Sequence, residues 1–197
     1  LMRSALDQTV IGKALPSIVA GLNGFELYAW VATGYLLASI VTIPIFGRLG
    51  DYYGRKPFVL AATLIFTLAS LACALANDML VLVIGRALQG IGGGMLIGTA
   101  FACIPELFPD TRQRLRWQML LSALFSVVNA IGPGLGGYLT GAFGWRSVFY
   151  INLPLGCLAL LIAWRFLPWY RPQQHSSIRL DWPGALLIAL ALGSLQL

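Results

Sequence analysis

Arg86 and Asp7 are the residues of this sequence best suited to moving a charge. Arg86 is the one charged residue of the stretch 79–105, and Gln89 and Gly90 follow it at i+3 and i+4, on the same face of a helix. An arginine at the middle of an apolar helix costs about 2.5–3.5 kcal/mol on insertion scales. Its guanidinium must therefore face a protein interior or a wet cavity, or else reach back to the surface near Asp78. Asp7 is an acid within the apolar stretch 1–20, which also holds Arg3 and Lys13. A carboxyl group there can take up and release a proton or hold a cationic substrate. Paired with Arg3 at i, i+4, it would only neutralise its neighbour. For each residue the sequence leaves both readings open.

Other chemistries lack the residues they need. Cys73, Cys103 and Cys157 lie in apolar surroundings and form no Cys-x-x-Cys or Cys/His cluster, so they read as packing residues. His175 stands in a polar stretch with no ligand partner nearby in sequence, and no metal or cofactor site is expected. Gly132, Gly134 and Gly137 fit a dinucleotide fingerprint, but no strand precedes them, Pro133 interrupts them, and the next acid is Asp181. Gly12 and Lys13 are followed by alanine, so they do not open a phosphate-binding loop. Intramembrane hydrolysis needs a carboxylate pair, a Ser/His pair or metal ligands. Asp7 has no second acid beside it, so an enzyme is not expected.

The elements that must position these residues follow from composition. Residues of types AVILMFWYC make up 58% of the 197 and charged residues only 10%, with a mean hydropathy of +0.80. A soluble domain carries roughly 25% charged residues, so this is an all-α membrane composition. The net charge of +6 comes from basic residues spread singly along the chain, which marks topology and not a nucleic-acid surface. Crossing ~30 Å of hydrocarbon takes about 20 apolar residues. Runs of suitable length occupy 27–47, 57–77, 79–105, 117–145 and 147–164. The expectation is the end of one helix, five whole spans and the start of another. Spans 1–6, the first incomplete, would lie within residues 1–167, a cytoplasmic linker within 168–181, and the start of span 7 within 182–197.

Three connectors carry Arg48, Arg55 and Lys56; Arg112, Arg114 and Arg116; and Arg165, Arg171 and Arg179. The connectors on the other side hold Glu26 and Asp78 and a single basic residue, Arg146. The basic connectors are thereby expected in the cytoplasm. The first of them, "GRLGDYYGRK" (47–56), is a glycine-rich elbow in which Gly47, Gly50 and Gly54 permit tight turning, and Asp51 stands four residues before Arg55 as an ion-pair partner or helix cap. Gly90, Gly94 and Gly98, and likewise Gly132 and Gly136, recur every four residues with Gly137 alongside, the spacing of backbone-to-backbone helix packing. Pro133 is expected to bend span 5.

These stretches also resemble the signatures of one family. The elbow looks like the loop between the second and third helices of the major facilitator superfamily. "LDQTVIGKALP" (6–16) resembles the first-helix signature of its drug:proton antiporters, "GRALQGIGGG" (85–94) the fourth-helix signature, and "GPGLGG" (132–137) the core of the fifth-helix antiporter signature. "WRSVFYINLPLG" (145–156) and "LDWPGALL" (180–187) are similar to segments of the fourteen-helix branch, the EmrB/QacA type. The sequence departs from the pattern at Val128, where glycine is usual, and at Arg3 and Lys13.

The resemblance implies the six-helix N-terminal bundle of a major facilitator fold, its first helix truncated, plus the start of a seventh helix. It implies a secondary active transporter exporting drug-like organic compounds against an inward proton flux across a bacterial-type inner or plasma membrane. The implied partners are the lipid bilayer, a small-molecule substrate, protons and a missing C-terminal half, with no nucleic acid. It also gives Asp7, Arg86 and Gln89 a part in proton coupling or substrate binding. Gly47, Asp51, Gly54, Arg55, Lys56 and Glu106 would form a cytoplasmic gate, with Arg55 paired to Glu106 or, failing that, Asp110. Gly90, Gly94, Gly132, Pro133, Gly136 and Gly137 would provide helix packing. The competing expectation is a non-transporting truncated remnant or an assembly partner of such a transporter.

Overall fold

A computed structural model describes residues 2–22, 25–107 and 110–167, together with Gly184, Leu187, Ala191 and Ser194. The expected linker 168–181 and most of the expected seventh span lie outside the described residues. The described chain is helical throughout: α1 (Met2–Leu22), a short 3-10 turn (Phe25–Leu27), α2 (Tyr28–Tyr53), α3 (Arg55–Ala74), α4 (Met79–Leu107), α5 (Thr111–Phe143), α6 (Arg146–Tyr150) and α7 (Asn152–Phe166). Among the described residues, five segments are long and apolar enough to cross a membrane: Tyr28–Gly50, Arg55–Ala74, Met79–Phe101, Thr111–Phe143 and Arg146–Phe166. They overlap the five apolar runs of the sequence, but the helices reach further: Arg112, Arg114 and Arg116, expected in a connector, form the first turns of α5, and Arg165 lies in the last turn of α7. The chain is a multi-pass integral membrane protein. α1 adds 21 residues, which at 1.5 Å per residue is about the thickness of the hydrocarbon layer.

The connections follow from local chemistry. α2 and α3 meet at Gly54, whose φ of 84° and ψ of 152° suit a residue without Cβ. Pro57 lies in the first turn of α3, where its missing N–H leaves no helical bond unmade. Asp110 caps α5, its side chain accepting from Arg112 N at 3.3 Å. Gly144, with φ of 79°, ends α5, and its N–H bonds to Thr140 O. The last apolar segment divides into α6 and α7 just before Pro154, which has no N–H to give the Tyr150 carbonyl. Pro133 sits within α5, which runs unbroken from Thr111 to Phe143.

α4 is the centre of the bundle, packed most extensively against α2 and α3, while α1 lies along α5, and α3 also touches α6 and α7. Glycines explain the closeness of α2 and α4. A Cβ at Gly90 would run into the Tyr35 carbonyl, one at Gly94 into the Ser39 carbonyl, and one at Gly98 would lie 2.5 Å from Ile43 O. Two rows of period four, one on each helix, thus meet backbone to backbone. On the α3 side a Cβ at Gly92 would lie 2.8 Å from Phe66 N.

On α5 the buried residues are Val128, Gly132 and Gly136, and a Cβ at Gly136 would lie 2.8 Å from Val10 Cα on α1. Gly137 departs from the expected packing role, because it is exposed and a Cβ there would meet nothing within 4 Å among the described residues. One residue along a helix is a turn of about 100°, enough to carry Gly137 off the face that Gly132 and Gly136 share.

The end of the bundle away from the basic connectors is closed by an apolar cluster that includes Ile18, Val31, Met79, Trp145 and Phe149. Trp145 and Phe149 meet edge to face at 6.2 Å. Arg146 lies over the Trp145 ring at 4.6 Å and donates to Ala76 O at 3.0 Å and Asn77 Oδ1 at 3.3 Å, tying the α5–α6 corner to the α3–α4 corner. The charge map predicts opposite sides for the two ends. With Cys73, Cys103 and Cys157 replaced, an impermeant thiol reagent added to intact cells should label Asn77→Cys but neither Tyr53→Cys nor Gln113→Cys. All three positions are exposed on the bundle. Labelling of Tyr53→Cys from outside would overturn the orientation.

Candidate functional site

Among the described residues, buried polar side chains include two groups that bear on function. The first surrounds Arg86 in α4, which is 2% exposed. Its guanidinium does not reach back to the surface. Nε donates to Val31 O on α2 at 3.3 Å, and Nη1 donates to Gln89 Oε1 at 2.7 Å. The group lies over the Tyr35 ring, 4.3 Å from its centroid. Gln89 is fully buried and donates through Nε2 to Ser70 Oγ on α3 at 2.8 Å, and Ser70 donates to Phe66 O at 2.8 Å. The charge is accommodated by hydrogen bonds and by the negative face of an aromatic ring. Helix spacing brings Gln89 to Arg86, and the glycines at Gly90 and Gly94 bring Tyr35 and Val31 within reach.

Tyr35 and Ser70 were not singled out by the sequence. A signal for Ser70 was present: Thr63, Thr67 and Ser70 form a hydroxyl stripe at helical spacing, all buried, each bonded to a carbonyl one turn back. Asp7 belongs to α1, and its side chain lies outside the described residues.

The second group is the elbow. The elbow is shorter than expected: Gly47, Gly50 and Asp51 lie within α2 and only Gly54, buried, makes the turn, while Gly47 is half-buried beside Gly98. The side chains of Asp51 and Glu106 lie outside the described residues, so the expected Arg55–Glu106 pair does too. Arg55 is 8% exposed and makes a long hydrogen bond, 3.5 Å, from Nη1 to Thr99 O on α4. Asp110 is occupied as the cap of α5.

Lys56 is 6% exposed and donates from Nζ to Trp164 O, 2.8 Å away in the last turn of α7. That carbonyl would ordinarily pair with the N–H four residues on, but residue 168 is proline and has none. Lys56 supplies the missing donor, and its charge suits the negative end of a helix. Lys56→Met, which keeps the stem and removes the ammonium, should cost about 1.5–3 kcal/mol, the usual worth of a hydrogen bond from a charged group. The loss should appear as a lower melting temperature in detergent; an unchanged value would show the contact to be incidental.

The arrangement holds the Arg86 guanidinium inside the helix bundle and binds the basic elbow to a carbonyl within α4 and to the last turn of α7. Among the described residues there is no cluster of His, Cys, Asp or Glu able to hold a metal ion.

Comparison with known proteins is consistent with transport. A family model described as the Major Facilitator Superfamily matches residues 2–194. Multidrug resistance protein 3 of Bacillus subtilis (strain 168) is 38% identical over 192 residues, covering 98% of this chain and 37% of its own length. Multidrug transporter protein MdtP of the same organism is 39% identical over 194 residues, covering 98% of this chain and 35% of its own. Efflux pump dotC of Dothistroma septosporum is 38% identical over 188 residues, covering 94% of this chain and 32% of its own. The chain thus spans about a third of the length of these curated relatives.

Proposed function

The chain belongs to the major facilitator superfamily, and on that premise we propose that it forms one bundle of a secondary exporter of drug-like organic compounds, driven by an inward flow of protons. The observation that carries this reading is Arg86: a charge kept in the middle of an apolar helix, fully enclosed and directionally bonded, marks a functional position in a membrane protein. The names of the relatives, which speak of multidrug resistance, multidrug transport and efflux, support the substrate class.

Alternating access requires two surfaces that rock about a site between them. A second bundle is therefore part of the proposal, and Arg86 and Gln89 belong to the coupling apparatus of this one. The test is dye or drug efflux from a host lacking its own pumps, comparing the full-length product with residues 1–197 alone. Efflux by the former that a protonophore abolishes, and none by the latter, is the expected result. Efflux that survives collapse of the proton gradient would overturn the coupling ion. Energy-dependent efflux by residues 1–197 alone would overturn the need for a second bundle.

A further inference from the structure

We propose that Ser70, acting through Gln89, is a positioning residue for the Arg86 guanidinium; the inference deepens the reading of Arg86 given above and rests on it. Ser70 is fully buried on α3. Its single hydroxyl proton goes to the Phe66 carbonyl at 2.8 Å. Toward Gln89 its oxygen therefore acts as an acceptor, and Gln89 Nε2 donates to it at 2.8 Å.

That bond selects one of the two orientations open to the Gln89 amide. With NH2 turned to α3, Oε1 faces Arg86, whose Nη1 donates to it at 2.7 Å. The reversed amide would set NH2 against the guanidinium, donor to donor, and would set its oxygen against a hydroxyl whose proton is already engaged. Every bond in the row runs the same way, from guanidinium to amide to hydroxyl to backbone carbonyl. The row ends on a carbonyl that cannot move without its helix. Val31 O and the Tyr35 ring, both on α2, also contact the guanidinium. The orientation of the charge is thus set by three helices, and Ser70 is the contribution of α3.

The experiment uses the full-length transporter in inverted membrane vesicles, with proton-driven drug exchange followed across a pH series and drug affinity measured at equilibrium. Ser70→Ala should lower the proton-driven rate about tenfold, because the buried Gln89 amide loses its acceptor and Arg86 its fixed partner. Drug affinity should stay within about twofold of the parent, as expected when an interaction outside the drug site is removed. Ser70→Thr, which keeps the hydroxyl, should recover most of the rate. Ser70→Ala combined with Gln89→Leu should be no slower than Gln89→Leu alone, since both act through one bond. If Ser70→Ala fails to accumulate, Ser70→Cys takes its place, being close in size with a thiol that is a poor acceptor. A wild-type rate in Ser70→Ala where Arg86→Ala is inactive would overturn the inference, as would losses in the double variant that multiply. Wild-type coupling by Arg86→Ala would overturn the parent reading of Arg86, and this inference with it.

Discussion

Gly90→Val should leave almost no folded protein, although the substitution is apolar for apolar and sits in an apolar helix. The reason is where the new atoms would go. Even the Cβ of an alanine at Gly90 would overlap the Tyr35 carbonyl, and at Gly94 the Ser39 carbonyl. These obstacles are backbone atoms of α2, which cannot rotate aside as a side chain can. The two helices would have to part along the seam that Gly90, Gly94 and Gly98 share, and the Arg86 contacts to Val31 and Tyr35 would part with them. Overpacking a core that can adjust costs about 1–3 kcal/mol, and a seam without mobile side chains should cost more. Gly137→Ala is the control, because its Cβ would enter open space among the described residues. There the change should stabilise this chain by about 0.5–1 kcal/mol, the helix preference of alanine over glycine. Melting in detergent, followed by size-exclusion chromatography, distinguishes the two. A monodisperse Gly90→Val protein melting near the parent would show that α2 and α4 do not meet as described.

Arg86→Ala in the full-length transporter should reduce proton-driven export at least about a hundredfold while the protein still reaches the membrane. The variant deletes two hydrogen bonds from a charged donor, to Val31 O and Gln89 Oε1, each worth about 1.5–3 kcal/mol, and the contact with the Tyr35 ring. Removing the charge also removes its insertion cost, so accumulation in the membrane should hold. Arg86→Lys should not restore export, because an ammonium is a point donor. It cannot address two acceptors in fixed directions while lying flat on a ring. Efflux measured with and without a protonophore, at matched protein levels, provides the readout. Normal coupled export by Arg86→Ala would reduce the residue to a structural role.

The sequence by itself determined the class of molecule and its chain path. A bilayer demands roughly 20 apolar residues per crossing and internally satisfied backbone, and those demands act on each stretch separately. Hence the five runs could be counted and the family resemblance read at motifs spaced in order, while the basic connectors are expected on one side. Gln89 beside Arg86 was equally legible, since i+3 neighbours are a property of a single helix.

What the tertiary structure alone decided is which polar atoms meet across helices. Ser70 and Gln89 are 19 residues apart, Val31 and Arg86 55, and Lys56 and Trp164 108. Each pairing depends on the rotation and depth of two helices, and those are set jointly by every neighbour. Glycine-rich segments hide the rotation most completely. In "GPGLGG" the one large apolar side chain, Leu135, faces outward and the glycines bear none, so Gly136 against α1 and Gly137 facing away could be separated only once α1 was in place. The sequence could likewise leave Arg86 either enclosed or reaching outward. The choice fell to α2, which approaches closely enough to offer a carbonyl and a ring only because the glycines of α4 carry no side chains to hold it off.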